Sequence, residues 1–351
     1  MVAEGIGNRS VITFSISLYE LEMERSHMRR TILNSDKFHW TDLPKLMAVA
    51  ILLTVWFPTR SMAQQSGQRT FSSPEEASHA LVTAAQTNDE KAMLDILGPD
   101  GKQIVSSGDD TEDANARANF VEKYQEMHRL VKEPDGTTTL YIGAENWPTP
   151  IPLVNQGKSW YFDTEAGREE ILYRRIGQNE ISTIRVCQEL AAAQKEYSAQ
   201  HNEYAQTIFS DEGQHNGLYW KAADDASQSP IGPLVAGADG YAKSQEGAPT
   251  PYQGYYFHIL TRQGKDGPSG AKSYVVNGKM TGGFAFVAYP AEYKSSGVMT
   301  FIVNEDGIVY EKDLGKKTAV VAKSMKEYKP NSSWQKAEEQ QEETASDQKT
   351  K

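Results

Sequence analysis

The residues of this chain that are able to do chemistry are scattered. Five histidines follow residue 63 (His79, His128, His201, His215 and His258), and none sits in an HxH or HExxH pattern or in a carboxylate-flanked pair at metal-ligand spacing. His201 and His215 bracket Asp211 and Glu212 and read as solvated loop residues, so no metal is expected. The densest acidic group, Asp109, Asp110, Glu112 and Asp113, lacks the order and the final glutamate of a calcium loop. It suits a helix start, where carboxylates complement the N-terminal dipole. Ser269, within Gly267-Pro268-Ser269-Gly270, lacks the GxSxG elbow of a nucleophile and reads as a turn. The single cysteine, Cys187, rules out an internal disulfide and any CxxC site, and its place on an apolar helix face predicts an inert, packed thiol. Gly278 to Gly283 is followed by neither the lysine nor the helix of a phosphate loop. Glu169 and Glu170, adjacent on a helix, point about 100° apart, which favours ion pairing with Arg174 and Arg175 over joint acid–base work. No catalytic residue and no cofactor is therefore assigned.

What remains is aromatic. Trp147, Trp160, Tyr219, Trp220, Tyr252, Tyr255 and Tyr256 lie in segments bounded by glycine and proline, and strand alternation sends some rings away from a core face. Trp147, Trp220, Tyr252 and Tyr255 are taken as the candidate binding surface, for stacking on a glycan or gripping an envelope protein.

These residues need a frame. Tyr252 to Gly315 alternates β-branched and aromatic runs with turn residues, the pattern of an antiparallel meander, and Asn304-Glu305-Asp306-Gly307 closes its last hairpin. A helix opening at Asn179, with Ile181, Ile184, Cys187, Ala191 and Tyr197 inward, is expected to cover that sheet. Upstream, Ser73-Pro74-Glu75-Glu76 is a capping box with proline at the first helical position. A second short helix ends at Gly98, and a third, opened by Asp113, aligns Phe120, Tyr124, Met127 and Val131. The period then changes to strands over Thr137 to Ile142 and to a hairpin around Gln156-Gly157-Lys158, with Trp147 to Pro152 held extended by its prolines. The fold class is α+β: N-terminal helices with a small curved antiparallel sheet, then a long helix on an antiparallel meander, as in a pilin head.

Domain boundaries follow. Residues 1–63 form a signal segment, 64–72 a linker, 73–166 an N-terminal α+β domain, 167–330 the C-terminal domain and 331–351 a disordered tail. Leu46 to Phe57 is an apolar block that Ser61-Met62-Ala63 follows as a small-x-small site, which predicts cleavage between Ala63 and Gln64. As a helix the block spans about 18 Å, short of the roughly 30 Å hydrocarbon core, so an uncleaved anchor is the weaker reading. Met28-Arg29-Arg30 would open an ordinary basic n-region, which makes Met28 a candidate start. The 351 residues carry a formal charge of -11, which argues against a nucleic-acid or anionic-membrane partner.

FDTEAGREEILYRRIGQNE, Gly217-Leu218-Tyr219-Trp220, Ser229 to Leu234, GYYFHILTRQG and GVMTFIVNEDGIVYEKDLG occur in one order, and over roughly Phe71 to Trp334 the chain resembles an exported bacterial family catalogued as domain of unknown function 2950. That resemblance implies export and no assigned activity. The C-terminal order of elements also resembles a pseudopilin head. The polar stretch AGREEILYRRIGQNE stands where a pilin carries its apolar stem, so a filament subunit is not expected. The reading is an exported, soluble periplasmic or extracellular module that binds and does not catalyse; the alternative is a periplasmic hydrolase with its site at the domain seam.

Overall fold

The computed structural model describes residues 65–211, 213–220, 230–231 and 251–337. The proposed signal segment, Ala63 and Gln64 lie outside the described residues. Two compact units are present, one ending at Tyr173 and the other starting at Arg174.

In the first unit, helix α1 (Pro74–Gln86) starts where the capping box places it, with Ser73 Oγ accepting from the Glu76 amide at 3.2 Å. The return bond is displaced by one residue: Glu76 Oε2 accepts from the amide and hydroxyl of Ser72. Helix α2 (Glu90–Leu97) ends at Gly98, whose φ of +81° needs a residue without a Cβ. Helix α3 (Asp110–Glu126) is capped by Asp109, which accepts from the Thr111 and Glu112 amides, so the helix begins earlier than Asp113. Met127 ends it in an extended conformation, and Val131 belongs to the next strand rather than to the helix face.

That strand, β1 (His128–Lys132), opens an antiparallel sheet with β2 (Thr138–Ile142), the two-residue β3 (Trp147–Pro148), β4 (Leu153–Gln156) and β5 (Ser159–Phe162), in the order β1-β2-β4-β5 with β3 on β2. The Gly157 turn holds Gln156 opposite Ser159. Residues expected to be linker are part of this unit. Phe71 exchanges both backbone hydrogen bonds with Trp160, and the buried Gln68 side chain donates to the Ile96 and Phe162 carbonyls.

Helix α4 (Thr164–His201) runs for 38 residues, and the division between the units falls inside it. Asn179 therefore caps nothing; its side chain donates to the Ser296 carbonyl at 2.8 Å. Between Thr164 and Asn179 there is no proline, and isolated glycines such as Gly167 and Gly177 are tolerated inside a helix, so the helix runs through the expected boundary.

The second unit is built on the sheet β6 (Tyr255–Leu260), β8 (Ala285–Pro290), β9 (Met299–Asn304) and β10 (Val309–Asp313), adjacent strands antiparallel in chain order, with the short β12 (Gln335–Lys336) on the outer edge of β10. Between β6 and β8 lies β7 (Arg262–Gln263), which pairs in parallel with β11 (Glu327–Tyr328). Cys187, Leu190, Ala191 and Tyr197 of α4 share one core with Phe286, Phe301 and Val303, so the long helix does cover the meander.

The sheet has a second cover that the sequence pattern did not suggest. Successive strand residues point to opposite faces. Tyr255 Oη donates to the Met299 carbonyl beside Glu180 of α4, whereas His258, three residues on, donates from Nε2 to the Met325 carbonyl at 3.0 Å. Met325 follows helix α5 (Thr318–Ser324), which lies against β8. With both faces covered, every residue of β8 is buried. The fold also continues beyond residue 330: Trp334 packs on the core and Ala337 is buried.

Candidate functional site

Charge is unevenly spread along the chain. From Lys312 to Lys336 there are seven lysines against Asp313 and Glu327, a net +5 within a chain of -11, so the other residues carry -16. This stretch folds into a strap over the second face of the sheet. Asp313 Oδ1 accepts from the Gly315 amide at 2.7 Å and Gly315 turns at φ +72°, which reverses the chain after β10. Thr318 and Ala322, at i and i+4, are the buried side of α5; Val320 and Val321 face outward, Val320 at 74% exposure. After Met325 the chain extends, and β11 brings Glu327 opposite Arg262.

The strap, β7 and β10 enclose an open groove of about 390 Å³ lined by Arg262, Lys312, Lys326, Glu327, Lys329 and Trp334 among others. Lys312 donates to Ser333 Oγ at 2.8 Å and lies 6.0 Å over the Trp334 ring. Lys329 stands 3.8 Å from Asp266, both partly exposed. Arg262 and Lys326 are exposed and pair with no carboxylate among the described residues. Singly, exposed cations contribute little, but four of them against the one carboxylate of the lining, Glu327, leave the concavity net positive. The indole adds a ring at the groove's edge.

The buried carboxyl and the buried imidazole of this unit, Glu180 and His258, do not face each other. Burial raises the Glu180 carboxyl above the usual range, partly offset by the Met299 and Val298 amides that donate to it. Burial lowers the His258 imidazole, with the Met325 carbonyl opposing. They occupy opposite faces of the sheet, so they cannot work as acid and base on one substrate. Cys187 is fully buried, and burial pushes its thiol far up. Ser269 sits in a turn at φ +65°, between two carbonyls, of Pro268 and Gly270, that the Gln263 side chain bonds. His201 is stacked on Tyr197 and His215 on Trp220. Among the described residues no three His, Cys, Asp or Glu side chains gather at a metal-sized site.

The aromatic residues proposed as a binding face are placed otherwise. Tyr255 is wholly buried, while Trp147 and Trp220 are 7% and 8% exposed. Only Tyr252 is half exposed, and its backbone is paired with Tyr255 on both sides. Tyr255 fails as a surface ring because alternation points it to the face that α4 covers, where its hydroxyl lies beside Glu180. Trp147 belongs to the first unit, and Trp220, Tyr252 and Tyr255 belong to the second. The acidic net charge of the whole chain hides the groove cations; their signal in the sequence is the lysine-rich stretch from Lys312 to Lys329, of which Lys312, Lys326 and Lys329 line the groove.

The model of a family described as protein of unknown function, DUF2950, matches residues 68–337 of the 351. The chain belongs to that family. The DUF2950 match begins at the buried Gln68 and ends at the buried Ala337, so it takes in both units and the whole basic strap. Neither a curated protein nor a solved structure matches the chain. Among the described residues no helix is long and apolar enough to cross a membrane.

Proposed function

We propose that this protein is an exported, noncatalytic module that holds an anionic glycan in the groove between the Lys312–Trp334 strap and β7. The observation that carries the reading is the convergence of Arg262, Lys312, Lys326 and Lys329 with the Trp334 indole in a chain that is otherwise strongly acidic. Charge complementarity selects a polyanion, and a ring at the edge suits the flat face of a sugar. The separation of Glu180 from His258 by the thickness of the sheet supports binding over hydrolysis. Export is supported by the apolar Leu46 to Phe57 block and its small-x-small site.

The test is titration of the purified protein with polygalacturonate, and with neutral dextran as control, at low and physiological salt. Polygalacturonate is expected to bind and to weaken as salt rises, dextran not to bind, and the double variant Arg262→Glu with Lys326→Glu to lose at least about tenfold in affinity. Equal binding of dextran, or an unchanged double variant, defeats the reading. Tighter binding of polyglutamate or of anionic lipid vesicles than of polygalacturonate would reassign the groove to another class of partner. Determination of the N-terminus of the secreted protein is expected to give Gln64; an intact apolar block would reverse the cleavage reading.

A further inference from the structure

The first unit contains a cavity unrelated to the basic groove. Helices α1, α2 and α3 meet the sheet around a space of about 50 Å³, lined mainly by apolar side chains that include Leu81, Met93, Ile104, Phe120 and Ile151. Protein interiors are packed to crystal density, so a void of this size is uncommon. It exists here because Ala85 and Ala116, both lining it, put methyl groups where larger side chains would fill the space. At about 10–15 Å³ per water-sized group there is room for roughly four such groups, and an apolar space of this kind does not hold water well.

One edge of the cavity is polar. Asp113 and Arg117, at i and i+4 on α3, reach it together with Thr149. The Asp113 carboxylate is already engaged, both oxygens accepting from the Ser107 amide at 2.9 and 3.1 Å. Arg117 donates from its Nε to Asn88 Oδ1 at 2.8 Å, and its charge also helps hold the neighbouring Asp113 carboxyl below its ordinary range. Its terminal amino groups have no acceptor among the described residues, and the residue is half-buried. A half-buried guanidinium with spare donors beside a dry apolar space matches a carboxylate on a short hydrocarbon tail.

We propose that this cavity binds a short aliphatic monocarboxylate, with a tail of about four to six carbons inside and its carboxylate on Arg117. The tail supplies most of the affinity by leaving water, and the guanidinium selects the head group. The site is independent of the glycan groove, and each can fail without the other.

Hexanoate, 1-hexanol and hexylamine are titrated into the full secreted protein by calorimetry, with thermal shift as a second readout. Hexanoate is expected to bind tightest and to raise the melting temperature by mass action, and hexylamine to bind at least about tenfold more weakly. Ala116→Leu, which fills the space, is expected to abolish the response. Arg117→Met keeps the side chain's bulk and is expected to weaken hexanoate about tenfold while leaving hexanol unchanged; it serves where Ala116→Leu does not fold. Arg262→Glu with Lys326→Glu is expected to leave hexanoate binding intact. The proposal is overturned if hexanoate does not bind, if hexylamine binds as well, or if Arg117→Met binds hexanoate as the parent does.

Discussion

Gly297→Ala is expected to cost at least about 3 kcal/mol and to lower the melting temperature of the second unit by roughly 6–12 °C. A Cβ at Gly297 would overlap Tyr255 Oη and lie 2.5 Å from Cζ of the same ring. A phenol end can often swing away from such a contact. This one cannot, because Tyr255 is wholly buried, tilted against Phe301 and bonded to the Met299 carbonyl at 3.1 Å. The substitution must either expel the ring or move the β8–β9 turn. Gly307→Ala is the control: its φ of +77° is unfavourable for alanine but a Cβ there meets nothing within 4 Å, so only backbone strain of about 1 kcal/mol is expected. Thermal unfolding of the two variants side by side decides it. Equal losses would mean that the close approach at Tyr255 does not constrain the fold.

Removing the Glu180 carboxylate is expected to have a comparable effect, with a sign that depends on what replaces it. Its Oε1 accepts from the Val298 amide at 2.8 Å and the Met299 amide at 2.9 Å, with Tyr255 Oη at 3.4 Å. Glu180→Ala leaves two amides without an acceptor where α4 meets the β8–β9 turn, a cost of about 3 kcal/mol. Glu180→Gln keeps a carbonyl oxygen for both amides and removes a buried charge. Burial raises the folded carboxyl above the unfolded value of 4.5, so the folded state binds the proton more tightly. The folded state's advantage is therefore full below pH 4.5 and is lost as pH rises through the folded value. The parent should lose stability relative to Glu180→Gln as pH rises above 4.5 through the folded value, and the glutamine variant should be at least as stable beyond it. Urea unfolding of both across that range measures the difference. A gap that widens in the parent's favour as pH rises would show that the amides, and not desolvation, govern this carboxyl.

The two predictions describe one device. α4 docks on the second unit at its Asn179–Glu180 pair, and the chain there is thin: Gly254 turns at φ +73° directly against the Asn179 amide, and Gly297 makes room for Tyr255. Asn179 looked like a helix cap because a short amide after a glycine and a glutamine is a common start signal. In the folded protein the same amide is used sideways, on the Ser296 carbonyl. A polar residue that caps and a polar residue that docks are alike in sequence; only the neighbour across 117 positions distinguishes them.

Local rules were readable where the interaction is local. Ser73 with Pro74 sets the start of α1, Gly98 the end of α2, and Asn304 to Gly307 the β9–β10 turn, where the Gly307 amide donates to the Asn304 carbonyl at 3.0 Å. Each depends on residues within four positions of one another. The same holds for the acidic cluster, whose Asp109 caps α3 as the helix dipole requires, one turn earlier than Asp113.

By itself the sequence determined the α+β class, the meander of the second unit with a long helix over it and membership of its family, because these follow from side-chain period, turn chemistry and ordered motifs. Only the tertiary structure decided that the sheet is covered on both faces, that Tyr255 is core, and that four cations from β7, β10 and the strap meet beside Trp334. Periodicity tells which side of a strand a residue takes but not what lies there, and a sum of charges along a chain does not say which of them share one concavity.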